Sequence, residues 1–205
     1  MIEPQSIESL ENAANVVSRG GVIAFRTDTF YGLGADPFNQ NAVRRIKEFK
    51  GREDNKPILI VISDSDYLDG FINSRSPAFD FLANKFWPGP LTLIGVARPE
   101  LPPEITAGTS TVGVRLPNDD QVLQLIRACG GALTATSANL SHAAPATTAQ
   151  QVQEYFGERL GLILDDGAAQ TDWPSTVVDA SGLELKLIRA GVIPWSEITN
   201  AIAGR

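Results

Sequence analysis

The chain has 205 residues, of which 17 are Lys or Arg and 24 Asp or Glu, for a formal charge of -7; 43% of residues are hydrophobic and 20% charged. These proportions fit one globular domain, residues 1–205, with a sizeable core, and they exclude disorder as the default. An acidic balance also excludes general attraction to nucleic acid or anionic membrane, so any phosphate affinity has to come from a local basic cluster.

In chain order, Ile7, Leu10, Ala14 and Val17 recur on one helix face, and Gly20-Gly21 stops that helix ahead of the apolar run Val22 to Phe25. A second helix is expected over Asn41 to Phe49, followed by a buried strand from Ile58 to Ile62. Further strands are expected at Leu91 to Val96, Thr111 to Leu116, Ala132 to Ala135, Leu162 to Leu164, Thr176 to Val178 and Leu185 to Ile188. Helical patterns lie at Pro77 to Phe86, Asp120 to Ala128 and Ala149 to Phe156, and Ser141 to Thr148 reads as a loop.

Helices mixed among about eight strands, several of them continuously apolar, predict an α/β fold with helices on the faces of its sheet. Two neighbouring strand pairs have no helix between them, which predicts antiparallel pairing of 91–96 with 111–116 and of 176–178 with 185–188, hence a mixed parallel and antiparallel sheet.

The one cysteine and one histidine remove zinc fingers, His-rich metal sites and disulfide frameworks, and leave a magnesium-like ion as the metal to expect. No segment approaches the ~20 apolar residues that span a bilayer, so no membrane partner and a cytoplasmic location are the expectation. A Walker loop is missing. The dinucleotide fingerprint fails at Gly32-Leu33-Gly34, which is displaced from the strand and has Pro37 at its third glycine position. His142 lies in a small-residue loop and no nucleophile elbow is present, which argues against a Ser-His-Asp hydrolase. Cys129 closes an apolar helical run and reads as a buried small hydrophobe.

Three polar groups remain. Lys50, Arg52 and Lys56 surround Gly51 just ahead of an apolar strand, a placement also explained by cations favouring a helix C-terminus. Thr134, Thr136, Ser137 and Asn139 follow a strand as phosphate-sized donors or, equally, as turn formers. Thr27, Asp28, Thr29 and Tyr31 end the first strand, beside glycines that permit close backbone approach. Arg115 and Arg189 each end a further strand. Ligands of open α/β sheets sit beyond strand termini, so these cations predict a polyphosphate site if the strand ends meet.

The ordered series Phe25-Arg26-Thr27-Asp28-Thr29-Phe30-Tyr31-Gly32-Leu33-Gly34, Lys50-Gly51-Arg52, Trp87-Pro88-Gly89-Pro90-Leu91-Thr92, Val114-Arg115-Leu116-Pro117, Ser137-Ala138-Asn139-Leu140-Ser141, Ser175-Thr176-Val177 and Arg189-Ala190-Gly191 resembles the YrdC-like threonylcarbamoyl-AMP synthase family, and does so along nearly the whole chain. With few residues after Gly191, it resembles the short, single-domain form. The resemblance implies a twisted, open mixed sheet with a deep, positively charged concave cleft. It implies synthesis of threonylcarbamoyl-AMP and pyrophosphate from L-threonine, bicarbonate or CO2, and ATP.

By motif position, it implies Lys50 and Arg52 as catalytic cations. ATP would be held by Arg52, Lys56, Thr111, Ser137, Asn139 and Arg189, with Pro145 on the wall of its pocket. Threonine would be held by Thr29, Arg115 and Ser175, with Ala135 on the wall. Mg2+ would ride mainly on the ATP phosphates. The product would pass to tRNA-modification proteins, with tRNA not needed for the first step. Departures from the family pattern are Arg26 and Ala190 for prolines, Glu53 for a common proline, His142 for glycine, and Val61 where some members have a threonine-contacting histidine. The alternative reading is a non-catalytic nucleotide- or RNA-binding module of the same fold.

Overall fold

The computed structural model describes residues 1–51, 56–169, 171 and 173–204. Its strands are β1 (Ile2–Pro4), β2 (Ile23–Arg26), β3 (Tyr31–Gly34), β4 (Leu59–Ile62), β5 (Ile72–Ser74), β6 (Leu91–Ala97), β7 (Thr111–Arg115), β8 (Ala132–Ser137), β9 (Leu162–Asp165), β10 (Thr176–Asp179) and β11 (Lys186–Arg189). The helices are α1 (Ile7–Ser18), α2 (Gln40–Phe49), α3 (Pro77–Phe86), α4 (Pro103–Thr106), α5 (Asp120–Ala128), α6 (Ala149–Phe156) and α7 (Trp195–Ala203).

Local chemistry explains most helix starts. The side chains of Ser6, Asn39, Ser76, Asp119 and Thr148 accept from first-turn amides of α1, α2, α3, α5 and α6, satisfying donors the helix itself cannot. At the other end of α2, Gly51 adopts φ 80°, the left-handed conformation that turns the chain out of the helix without a Cβ penalty.

The strands form one mixed sheet in the order β1-β9-β2-β3-β8-β4-β7-β6-β10-β11, with β5 added on β6. Both expected antiparallel pairs are present, β6 with β7 and β10 with β11. The sequence reading missed β1, β3, β5, α4 and α7. β3 is the instructive case: Tyr31–Gly34 contains two glycines and lacks a strand signal, yet it pairs antiparallel with both β2 and β8.

Each face of the sheet carries its own apolar layer. On one side, α2, α3, α4, α6 and α7 pack residues such as Val43, Ile46, Phe79, Leu82, Ile105, Val152 and Ile198 onto Ile60, Leu93 and Val114. On the other, among the described residues, only the helices α1 and α5 pack, through Ala13, Val17, Val122, Leu125 and Ile126, over Phe25, Val61, Leu133 and Leu164. Among the described residues, these two helices leave part of that second face uncovered. Leu59 and Ala135, partners across β4 and β8, belong to its layer and also line a cavity.

Candidate active site

The cavity has a volume of about 730 Å³, within the range of small-molecule sites. It is walled by the Thr27–Phe30 turn, the C-terminal ends of α2, β7 and β8, the residues leading into β4, and Pro174, Ser175 and Arg189 from the far edge. Its described lining includes Lys47, Lys50, Lys56, Arg115 and Arg189 and no carboxylate.

Arg115 is 3% exposed. One Nη1 lies 2.9 Å from Asp28 Oδ1 and 3.5 Å from Thr29 Oγ1. The Asp28 contact is not aligned as a hydrogen bond, since among the described residues neither Asp28 oxygen nor Arg115 Nε has a hydrogen-bond partner. Burial pulls the Arg115 guanidinium down from its ordinary pKa while Asp28 pushes it back. Arginine remains a cation under such shifts, so its unmet donors are available to a second anion. The turn carrying Asp28 and Thr29 is itself tight: Thr27 Oγ1 donates to Phe30 O at 2.8 Å and accepts from the Thr29 amide at 3.1 Å.

Arg189 sits on the exposed edge strand β11 and turns back into the cavity. Its Nε and Nη2 donate to Ser175 O at 3.1 and 2.9 Å, and Nη2 donates to Ser175 Oγ at 2.9 Å. Ser175 Oγ in turn lies 2.9 Å from Thr92 Oγ1. The Arg189 pKa is lowered by burial and then by the charge of Arg115. Two guanidiniums that repel across one hollow are relieved when an anion enters between them.

Lys50 lines the cavity, and its ammonium also reaches the loop after β8. Its ammonium donates to Ser137 O at 2.7 Å, Asn139 Oδ1 at 3.0 Å and Asn139 O at 3.1 Å. An ammonium has three N–H groups, and these acceptors match all three. The Lys50 carbonyl accepts from the amide and hydroxyl of Ser141 at 3.1 and 2.7 Å, so helix end and loop grip each other twice. Within the loop, Ser137 Oγ donates to Asn139 Oδ1 at 2.6 Å and Asn139 Nδ2 donates to Ala143 O at 2.6 Å.

The cavity thus gathers Thr29, Lys50, Lys56, Arg115, Ala135, Ser137, Asn139, Ser175 and Arg189. Arg52 lies outside the described residues. Thr111 and Pro145 are not on the lining. Thr111 shares a face of β7 with Arg115 but begins the strand that Arg115 ends, roughly 13 Å away at the rise of an extended chain. Pro145 lies half-buried in the loop between β8 and α6. Sequence reasoning missed Lys47 and His142 on the lining, and Thr92, which contacts the lining residue Ser175. For Lys47 a signal existed, since it precedes Lys50 by three positions on α2 and so shares its face. Thr92 is reached only through tertiary pairing.

A family model for Sua5, YciO and YrdC proteins, described as telomere recombination, matches residues 15–191. The chain belongs to this family. The threonylcarbamoyl-AMP synthase of Pyrococcus abyssi is 37% identical over 190 residues, 93% of this chain and 56% of that protein. The threonylcarbamoyl-AMP synthase of Thiobacillus denitrificans is 41% identical over 174 residues, 84% of this chain and 90% of the relative. The crystal structure of P. abyssi Sua5 complexed with L-threonine superposes with a TM-score of 0.92 at 36% identity, covering 98% of this chain and 59% of that one. The chain therefore spans little more than half the length of the archaeal family member and most of the bacterial one. No helix among the described residues is long and apolar enough to cross a membrane.

Proposed function

We propose that the cavity makes threonylcarbamoyl-AMP from L-threonine, bicarbonate or CO2, and ATP, releasing pyrophosphate. The observation that carries this reading is the buried Arg115 beside Thr29, with Nε unmet, in the same hollow as Lys47, Lys56 and the Ser137–Asn139 loop. A planar guanidinium suits a carboxylate through two parallel bonds, and the lysine side suits phosphates as point charges. The threonine complex of the archaeal relative and the names of the synthase relatives support the same activity.

The chemistry needs no protein nucleophile. The threonine amine adds to CO2 and loses a proton, giving a carbamate. A carbamate oxygen then bonds to the α-phosphorus as the bond from that phosphorus to the bridging oxygen breaks, and pyrophosphate leaves with the electron pair. The protein holds two anions within reach and supplies preorganised positive charge for the phosphates. Arg52 is assigned here by motif alone. Among the described residues no group of three or more His, Cys, Asp or Glu is placed to hold a metal ion, and the lining offers hydroxyl, amide and main-chain oxygens. That donor set fits Mg2+ entering on ATP, where it would neutralise phosphate charge.

The test is to incubate the protein with ATP, Mg2+ and bicarbonate and each amino acid in turn, counting pyrophosphate. Threonine should give the highest rate, and omission of bicarbonate should abolish it. Nucleotide binding without threonine-dependent pyrophosphate would instead mark a non-catalytic module. The product, a labile mixed anhydride, would be consumed by tRNA-modification proteins.

A further inference from the structure

Arg26 ends β2 immediately before the Thr27–Phe30 turn, and it is 3% exposed. Its Nη2 lies 2.9 Å from Asp119 Oδ2 and 3.4 Å from Gln121 Oε1. Asp119 is itself held: its other oxygen accepts from the amides of Gln121 and Val122 at 3.0 and 3.3 Å, capping α5. A carboxylate at a helix N-terminus is favoured by both hydrogen bonds and the helix dipole, so Asp119 is a fixed anchor rather than a swinging partner.

The same two stretches of chain are joined a second time. Arg115 ends β7, shortly before Asp119, and pairs with Asp28, shortly after Arg26. One cation comes from each stretch, and the two pairs form crossed rungs between the end of β2 and the end of β7. A single rung would let the turn pivot about it; two buried rungs fix its position against Arg115.

We propose that Arg26 is a positioning residue for the amino acid pocket, holding Thr29 and Asp28 in place against Arg115 through its pair with Asp119. This rests on the assignment of Arg115 and Thr29 to the substrate carboxylate end. Stability alone explains the pair poorly. A buried ion pair contributes little over an apolar group of the same shape, and among the described residues Arg26 Nε and Nη1 make no hydrogen bond, although the Asp166 carboxylate also feels the Arg26 charge. Geometric definition is what such a pair adds.

Three variants test it. Arg26→Met removes the charge at similar volume. Asp119→Asn keeps a capping oxygen while neutralising the pair, and Arg26→Lys restores a cation. In the pyrophosphate assay, Met and Asn should each raise the KM for threonine ~10-fold, leave the KM for ATP within about twofold and kcat within about threefold, and Lys should recover most of the loss. Parallel increases in both KM values, or no change in either, would overturn the proposal. Hydrogen exchange supplies a readout independent of catalysis: amides 27–30 should exchange ~10-fold faster in Arg26→Met, with β3 and β8 unchanged. If the parent protein shows no threonine-dependent turnover, the catalytic reading fails and exchange alone decides whether Arg26 fixes the turn; equal exchange overturns it.

Discussion

Replacing Lys50 with Met separates two roles for this side chain. Methionine keeps the buried stem but removes three donated bonds, to Ser137 O, Asn139 O and Asn139 Oδ1. A bond from a charged donor contributes about 1.5–3 kcal/mol net, so an upper bound for three is roughly 5–9 kcal/mol. Ser137 and Asn139 are only half-buried, and water can reach part of what the ammonium leaves, bringing the expected loss to about 2–4 kcal/mol. In a domain of this size each kcal/mol moves Tm by about 2–4 °C, so the melting point should fall by roughly 5–15 °C. Threonine-dependent pyrophosphate release should fall about 100-fold because Ser137 and Asn139 lose their orientation. Urea unfolding and the pyrophosphate assay on one preparation give both numbers. A variant as stable as the parent within about 0.5 kcal/mol, yet inactive, would refute the reasoning and return the ammonium to the phosphates.

Three other substitutions or treatments have definite outcomes. Arg115→Lys keeps the charge but loses the planar fork, so the KM for threonine should rise about 10- to 100-fold with the KM for ATP nearly constant; an unchanged threonine KM would remove Arg115 from the pocket. A methyl group at Gly191 would collide with Pro174 O and lie 2.5 Å from both Ser175 C and Thr176 N, so Gly191→Ala should cost about 3 kcal/mol or more in urea unfolding and weaken activity through Ser175 and Arg189. Burial pushes the Cys129 thiol up to about 12. A raised pKa retains the proton in the folded state, so alkylation at pH 8 should be roughly 1000-fold slower than in the unfolded chain. Its rate should keep climbing from pH 8 to 11, where the unfolded thiol has levelled off; a native plateau near pH 9 contradicts the burial.

Much of the framework is written locally. Apolar runs such as Ile58 to Ile62 and the helical spacing of Val43 and Ile46 are set by neighbours in sequence, and the structure places them as β4 and α2. The antiparallel pairs of β6 with β7 and β10 with β11 were legible because their connections are short and contain no long helix. Cap residues likewise act within one turn of the groups they satisfy.

Other features belong to the tertiary structure alone. Tyr31–Gly34 becomes a strand because β2 and β8 bury it from both sides, a context that overrides its two glycines. The cluster of basic residues around Gly51 announced positive charge but could not reveal where Lys50 points, since its acceptors lie 87 and 89 residues further along the chain. Which part of a sheet face the described helices leave uncovered depends on which side each helix packs, and the strand order that brings Arg115, Ser137 and Arg189 to one hollow is fixed by long-range pairing. Local sequence specified most of the elements, the family pattern and the chemical types available. The fold decided which donors are already satisfied and which remain for a substrate, because hydrogen-bond satisfaction is a property of neighbours in space.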